Sequence, residues 1–130
     1  MFKVMDVATK MVVTTKPETP IYDAIRVLAN RNISDLPVLD ADLNLVGILS
    51  EIDVLELLYE TRDNTEQTVA DYMHTGVFSL DVKANLIDLC DSLVSSKFRS
   101  VPVTKEGKLC GIASRSDVIW GILRVKNQAL

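Results

Sequence analysis

Residues 47–54 read Gly47-Ile48-Leu49-Ser50-Glu51-Ile52-Asp53-Val54, and residues 111–118 read Gly111-Ile112-Ala113-Ser114-Arg115-Ser116-Asp117-Val118, 64 residues further on. Each copy closes an apolar run with strand character, Leu45 to Leu49 and Leu109 to Ala113, and opens an amphipathic run with helix character. Ser stands at the N-cap and Asp at the third helical position, a capping-box pattern. A strand running into a helix N-terminus is also a place for an anion, because the first N–H groups lack helical partners and the macrodipole is positive there. The Asp one turn in can accept paired hydroxyls such as a ribose diol. Capping alone accounts for a single copy. Two copies, each with Gly three residues before the Ser, favour a repeated ligand site, and both readings stay open at this point.

The repeat extends outward from this signature in nearly constant register, as a duplicated unit should. At an offset of 65, Val12-Val13-Thr14-Thr15 matches Val77-Phe78-Ser79-Leu80, and Leu36-Pro37-Val38 matches Val101-Pro102-Val103. The offset then falls to 64, because five residues, Asp40 to Asn44, stand where the second half has four, Lys105 to Lys108. Hairpin turns tolerate such changes.

Each half reads strand, helix, strand, strand, helix. The first helix is predicted to follow Thr19 as N-cap with Pro20 at the first helical position, and its stripe is Ile21, Ala24, Ile25 and Leu28. Its partner follows Asn85, with Leu86, Leu89, Cys90, Leu93 and Val94. Two strands around a polar turn come next: Leu36 to Leu39 with Leu45 to Leu49, then Val101 to Thr104 with Leu109 to Ala113. Closing helices run from Glu51 to about Glu60 and from Arg115 to about Val125. They are apolar over more of their circumference than one contact face requires, which points to a second partner. Residues 1–61 form one repeat, the polar stretch 62–68 a short linker, and 69–130 the second repeat. Met5-Asp6-Val7 and Val69 to Met73 are matching lead-ins.

The 130 residues suit one domain or two joined small halves. A net charge of −4 argues against general nucleic-acid binding. Residues 1–65 carry 6 Lys/Arg against 11 Asp/Glu (−5), and residues 66–130 carry 8 against 7 (+1), so the second half is the better host for an anion. No run is long and apolar enough for a membrane span, and a cytoplasmic protein is expected. Cys90 and Cys110 lie in apolar patterns without C-x-x-C spacing, which predicts buried reduced thiols. His74, the single histidine, has no Cys or paired carboxylates at ligand spacing, so it reads as surface or lead-in structure. Ser114 has no neighbouring base and no G-x-S-x-G elbow, and no acid, base, metal or nucleophile constellation supports an enzyme. Trp120 is expected at a helix interface.

The ordered set of a V-V-T-T-like strand, an L-P-V or V-P-V strand and a closing G-I-x-S-x-x-D, found twice over residues 4 to 125, resembles a tandem pair of cystathionine-β-synthase-type (CBS) domains, a Bateman module. The resemblance implies an α+β fold of two β-α-β-β-α units packed sheet to sheet with pseudo-twofold symmetry, often assembled as homodimers through their helices. It implies a non-catalytic sensor that needs no cofactor and signals to a separate effector protein, with neither nucleic acid nor membrane as partner. The expected ligand, held in a cleft between the repeats, is an adenine nucleotide or S-adenosylmethionine (AMP, ADP, ATP and related compounds). Carried over by position, Asp53 and Asp117 would accept ribose hydroxyls, and Ser50 and Ser114 would hold phosphate or ribose oxygens. Thr14 and Ser79 would border the adenine. Ile33, Ser34 and Asp35 before Pro37, and Phe98, Arg99 and Ser100 before Pro102, would line the base pocket and its mouth, the prolines fitting an edge or strand start.

The two sites differ in charge. Glu51 follows Ser50, whereas Arg115 follows Ser114; Asp35 faces Ser100 in the alignment, and Ser34 faces Arg99. A carboxylate beside a phosphate repels it, while a guanidinium can hold it bidentately. The site around Ser114, Arg115 and Asp117 is therefore the better phosphate host, and the one around Ser50 and Asp53 suits an empty state or a less anionic adenosyl group. A structural dimerisation module without nucleotide is the rival reading.

Overall fold

The computed structural model describes residues 2–61, 63–95 and 99–127. The chain divides into two compact units, Val13–Val77 and Met1–Val12 with Phe78–Leu130. The first holds the first copy of the signature and the second holds the other.

In the Val13–Val77 unit, α1 (Ile21–Arg31) is followed by β1 (Asp35–Leu39), β2 (Leu45–Ser50) and α2 (Glu51–Leu55), and a 3-10 turn over Glu56–Tyr59 completes the closing run. α1 starts one residue later than predicted, with Pro20 in extended conformation as the N-cap and the Thr19 hydroxyl accepting from Lys16 N instead. It ends at Asn32, which takes φ of 52°, a left-handed conformation that Asn tolerates. β1 and β2 pair antiparallel with Leu36 opposite Leu49 and Pro37 opposite Ile48. The predicted first strand is reduced to one parallel bridge, Thr15 to Val38.

The other unit repeats the plan: β3 (Leu80–Asp81), α3 (Leu86–Ser95), β4 (Ser100–Lys105), β5 (Lys108–Ser114) and α4 (Arg115–Val125). β3 runs parallel to β4, and β4 antiparallel to β5. Asn85 caps α3, its side-chain oxygen accepting from Asp88 N at 2.9 Å. Both hairpins carry a register shift at the matching place, between Val38 and Leu39 and between Val103 and Thr104. Their turns differ as the offset change requires. Glu106-Gly107 closes in two residues with φ of 53° and 82°, the left-handed pair of a tight hairpin turn. The longer turn is tied by the Asp40 carboxylate, which accepts from Asp42 N and Asn44 N.

The compact units do not coincide with the sequence division into 1–61, 62–68 and 69–130, because each lead-in packs with the other repeat. Val69 is fully buried among Ile21, Leu36, Val38 and Leu49. Val4 is fully buried among Leu89, Val101, Val103 and Ala113. Main-chain bonds fix the exchange: Ile21 N donates to Gln67 O and Val69 N to Thr19 O, both at 2.9 Å, and Val4 N donates to Ala84 O at 2.8 Å. The described residues 63–68, the short stretch between the repeats, are held in place. Thr68 bridges Pro20, and buried Asn64 donates to Glu60 and to the Tyr72 hydroxyl, which in turn donates to Glu60.

The same exchange explains the glycine of the signature. His74 lies against Ile48, with His74 N donating to Ile48 O at 2.9 Å and Ile48 N to His74 O at 3.0 Å. Thr9 lies against Ile112 through the matching pair, both 2.9 Å. A Cβ on Gly47 would stand 2.7 Å from the His74 carbonyl oxygen, and one on Gly111 would stand 2.9 Å from that of Thr9. Only a residue without Cβ lets the lead-in approach so closely.

Pro37 and Pro102 are fully buried inside β1 and β4. Pro37 stands on an edge strand of its two-stranded sheet, as one of the two expected placements has it; its carbonyl accepts from Thr15 N, so its missing donor faces a neighbour that pairs through a single residue. Trp120 is 54% exposed on α4. Two expectations are corrected. Cys90 is an exposed free thiol and Cys110 a partly exposed one, since Cys90 lies on the open side of α3. The closing run of the first repeat changes from α to 3-10 geometry after Leu55. Among the described residues no helix is long and apolar enough to cross a membrane.

Candidate functional site

The signature folds locally as a reciprocal capping box in both units. Ser50 ends β2 in extended conformation; its N–H donates to Asp53 Oδ2 at 2.8 Å, its hydroxyl donates to the same oxygen at 2.8 Å, and it accepts from Asp53 N at 3.4 Å. Ser114 does the same at the start of α4, with 2.8 Å, 3.1 Å and 3.3 Å to Asp117. The next donors are also taken. Glu51 N donates to Ser34 O at 2.9 Å, and Arg115 N to Arg99 O at 3.3 Å. Much of the donor supply that would make these helix starts anion sites is thus spent inside the fold. The serine hydroxyl protons, expected to hold ligand oxygens, are committed to the carboxylates.

What the arrangement leaves is the second oxygen of each carboxylate, and here the units part. Asp117 is partly exposed, and among the described residues nothing bonds to its Oδ1. Asp53 is buried, its side chain only 8% exposed, and its Oδ1 lies 2.5 Å from Nε2 of His74. The reading of His74 as mere lead-in structure missed this contact. The sequence offers only the repeat offset that matches His74 to Thr9; the pairing with Ile48 that brings it next to the start of α2 is made by the fold.

The remaining candidates group around these boxes to differing degrees. Asp35 is buried and pairs with Ser50 across the hairpin; Ser100, partly exposed, pairs with Ser114 in the same register. Ser34 and Arg99 meet the helix starts through their carbonyls. Ile33 packs on the hydrophobic core, and Pro37 and Pro102 are enclosed in their strands. Thr14 is exposed beside the bridging Thr15, and no hydrogen bond joins it to Ser50 or Asp53. The Ser79 hydroxyl lies 3.2 Å from that of Thr104. Phe98 lies outside the described residues.

Glu51 is exposed at one helix start, and Arg115 at the other. Among the described residues the Arg115 and Arg99 side chains make neither an ion pair nor a hydrogen bond. Arg115 lines a shallow hollow between α3 and α4 with Cys90, Leu93, Val94, Val118 and Ile119, and no hydrogen bond joins its guanidinium to Ser114 or Asp117. Among the described residues no three His, Cys, Asp or Glu side chains are grouped to hold a metal ion.

Comparison with known proteins bears on this arrangement. The family described as "CBS domain" matches residues 4–60 and 69–124. The chain is 30% identical to the CBS domain-containing protein CBSX1, chloroplastic, of Arabidopsis thaliana, over 85% of this chain and 59% of that one. It thus spans about three-fifths of that relative's length. An uncharacterised 17.7 kDa protein of Acidianus ambivalens is 32% identical over 95% of this chain and 74% of its own. Among solved structures, the CBS-pair protein CBSX2 from Arabidopsis thaliana superposes with a TM-score of 0.89 at 31% identity, covering 98% of this chain and 99% of that one. A crystal structure of CBSX2 in complex with AMP superposes at 0.85 and 31% identity, covering 97% and 99%.

Proposed function

The chain belongs to the CBS-domain family, both repeats being matched, and from that premise we propose that it is a non-catalytic regulatory module that binds an adenosine-containing ligand and signals to a partner protein. The observation that carries this reading is the open Oδ1 of Asp117. The capping box holds that carboxylate rigidly through its other oxygen, so an acceptor stands ready for a pair of hydroxyl donors such as a ribose diol. The AMP complex of CBSX2, a relative at 31% identity, supports an adenine nucleotide as the ligand class. AMP, ADP, ATP and S-adenosylmethionine are the candidates within it. Arg115 and Arg99, exposed and outside any ion pair among the described residues, supply positive charge for a phosphate at this end of the chain.

Transmission would pass through the closing helices. Leu58 and Tyr59 are 85% and 87% exposed, and Ile119, Trp120 and Ile122 are more than half exposed. Apolar side chains in that number on helix faces favour a protein partner, with a second copy of this chain as the first candidate. The same observation favours a second reading, an assembly module without nucleotide. Thermal unfolding with each adenosyl compound and a GTP control separates the two. A ligand that binds only the native state adds about 2.7 kcal/mol at a hundred times its dissociation constant. The sensor reading expects a raised midpoint in wild type that is absent in Asp117→Ala. No rise with any compound leaves the assembly module.

A further inference from the structure

Thr9 and His74 occupy equivalent places: they are 65 residues apart, the offset of the repeat, and each pairs through both main-chain groups with the isoleucine of its signature. Their side chains do opposite things. The His74 Nε2 sits 2.5 Å from Asp53 Oδ1, a separation at which one of the two atoms carries a proton that the other accepts. Thr9 is exposed, and its hydrogen bonds among the described residues are both main-chain, leaving Asp117 Oδ1 open. With Ser50 on Oδ2 and His74 on Oδ1, the Asp53 carboxylate has both oxygens engaged and is almost wholly buried.

We infer that His74 closes the aspartate of the first repeat to ligands, so that one side chain of the lead-in sets how many adenosyl molecules this chain accepts. A diol that reached for Asp53 would have to displace a hydrogen bond to a charged group, which costs on the order of tenfold to a hundredfold in affinity. At Asp117 no such bond stands in the way among the described residues. The backbone register, the capping boxes and the glycines are common to both units, so the difference between the two carboxylates is made at Thr9 and His74. The inference rests on the reading that the open Asp117 receives a ribose.

His74→Thr, which copies the arrangement at Thr9, tests it by calorimetric titration with AMP beside wild type. One AMP per chain in wild type and two in His74→Thr is the expected result, with the second-repeat affinity unchanged. Two sites of similar affinity in wild type, or a single site still in His74→Thr, overturns the inference and leaves the adenosyl reading standing. Absence of binding in both proteins overturns the two together. A measurement that needs no nucleotide stands beside it. Because His74 is the only histidine, its imidazole signals in nitrogen-15 spectra are unambiguous. A ring N–H protected from exchange in wild type and lost in Asp53→Ala is expected, and equally fast exchange in both proteins overturns the closure.

Discussion

The two units use one backbone plan to opposite ends at the same carboxylate. In the first, the aspartate of the signature is buried and held from both sides, by Ser50 and by His74. In the second it is partly exposed and held from one side, by Ser114. A duplicated unit can therefore keep its fold while the same carboxylate is tied at both oxygens in one copy and at one oxygen in the other. The ends of the closing runs teach a similar lesson. Glu60 accepts from Asn64 and from the Tyr72 hydroxyl, fastening the closing run to the lead-in through a carboxylate. Its counterpart Arg124, 64 residues on, donates to Asp6 O at 2.7 Å and lies over the Phe2 ring, fastening the equivalent parts with a cation. Opposite charges at matched positions do the same mechanical work.

The largest expected effect comes from the glycines, where the comparison predicts similarity. Gly47→Ala should lower stability by about 3 kcal/mol and Gly111→Ala by about 2, as overpacking against backbone allows. The order follows from the Met73 sulfur, 2.8 Å from the would-be Cβ of Gly47, where the closest side-chain atoms at Gly111 stand 3.5 Å away. Chemical denaturation measures both, and tolerance of either alanine would refute the close approach of the lead-in. Next come the aspartates, which should separate. Asp53→Ala is expected to cost about 2 kcal/mol, since a cap and a further bond are lost, and Asp117→Ala about 1, the value of a cap alone. Ligand binding should rank them the other way, with Asp117→Ala abolishing the thermal shift and Asp53→Ala keeping it. Equal stability losses would argue against the His74 contact. The fastenings give the smallest changes. Tyr72→Phe should cost about 1 kcal/mol, because Asn64 and Glu60 lose a partner inside a partly buried cluster. Arg124→Ala should cost roughly half of that, its bond being exposed. A larger loss at Arg124 would reverse the ranking of the two fastenings. Sedimentation analysis of the wild type tests the exposed helix faces, with a dimer expected at micromolar concentration and a strict monomer counting against a second copy as partner.

Much of the fold could be read in advance because it rests on local signals. Stripes at helical spacing located α1 and α3, short apolar runs located the four hairpin strands, and Ser with Asp three residues on marked the starts of α2 and α4 to the residue. The family resemblance drew on the same ordered motifs, and the family match covers both repeats. Thr14 and Val12–Val13 were less legible as a strand, since only Thr15 finds a ladder partner. For the candidate site, residue types were visible and their engagement was not. That Ser50 and Ser114 spend their hydroxyl protons on Asp53 and Asp117 follows from rotamers fixed by the helix start. The single histidine had no motif around it, and its meaning came from a strand pairing 26 residues back along the chain, at Ile48.

By itself, the sequence determined that the chain is duplicated, where each helix and hairpin lies, and which carboxylate and hydroxyl stand at each helix start. These depend on periodicity, capping and turn chemistry within a few residues. Only the tertiary structure decided that each lead-in packs with the other repeat, that Gly47 and Gly111 make room for it, and that His74 meets Asp53 while Thr9 leaves Asp117 open. Those outcomes depend on which strand edge a distant segment pairs with. Hydrogen bonds between backbones are alike for every residue type, so their partner is chosen by burial of side chains such as Val4 and Val69 in a core that exists only once the chain has folded.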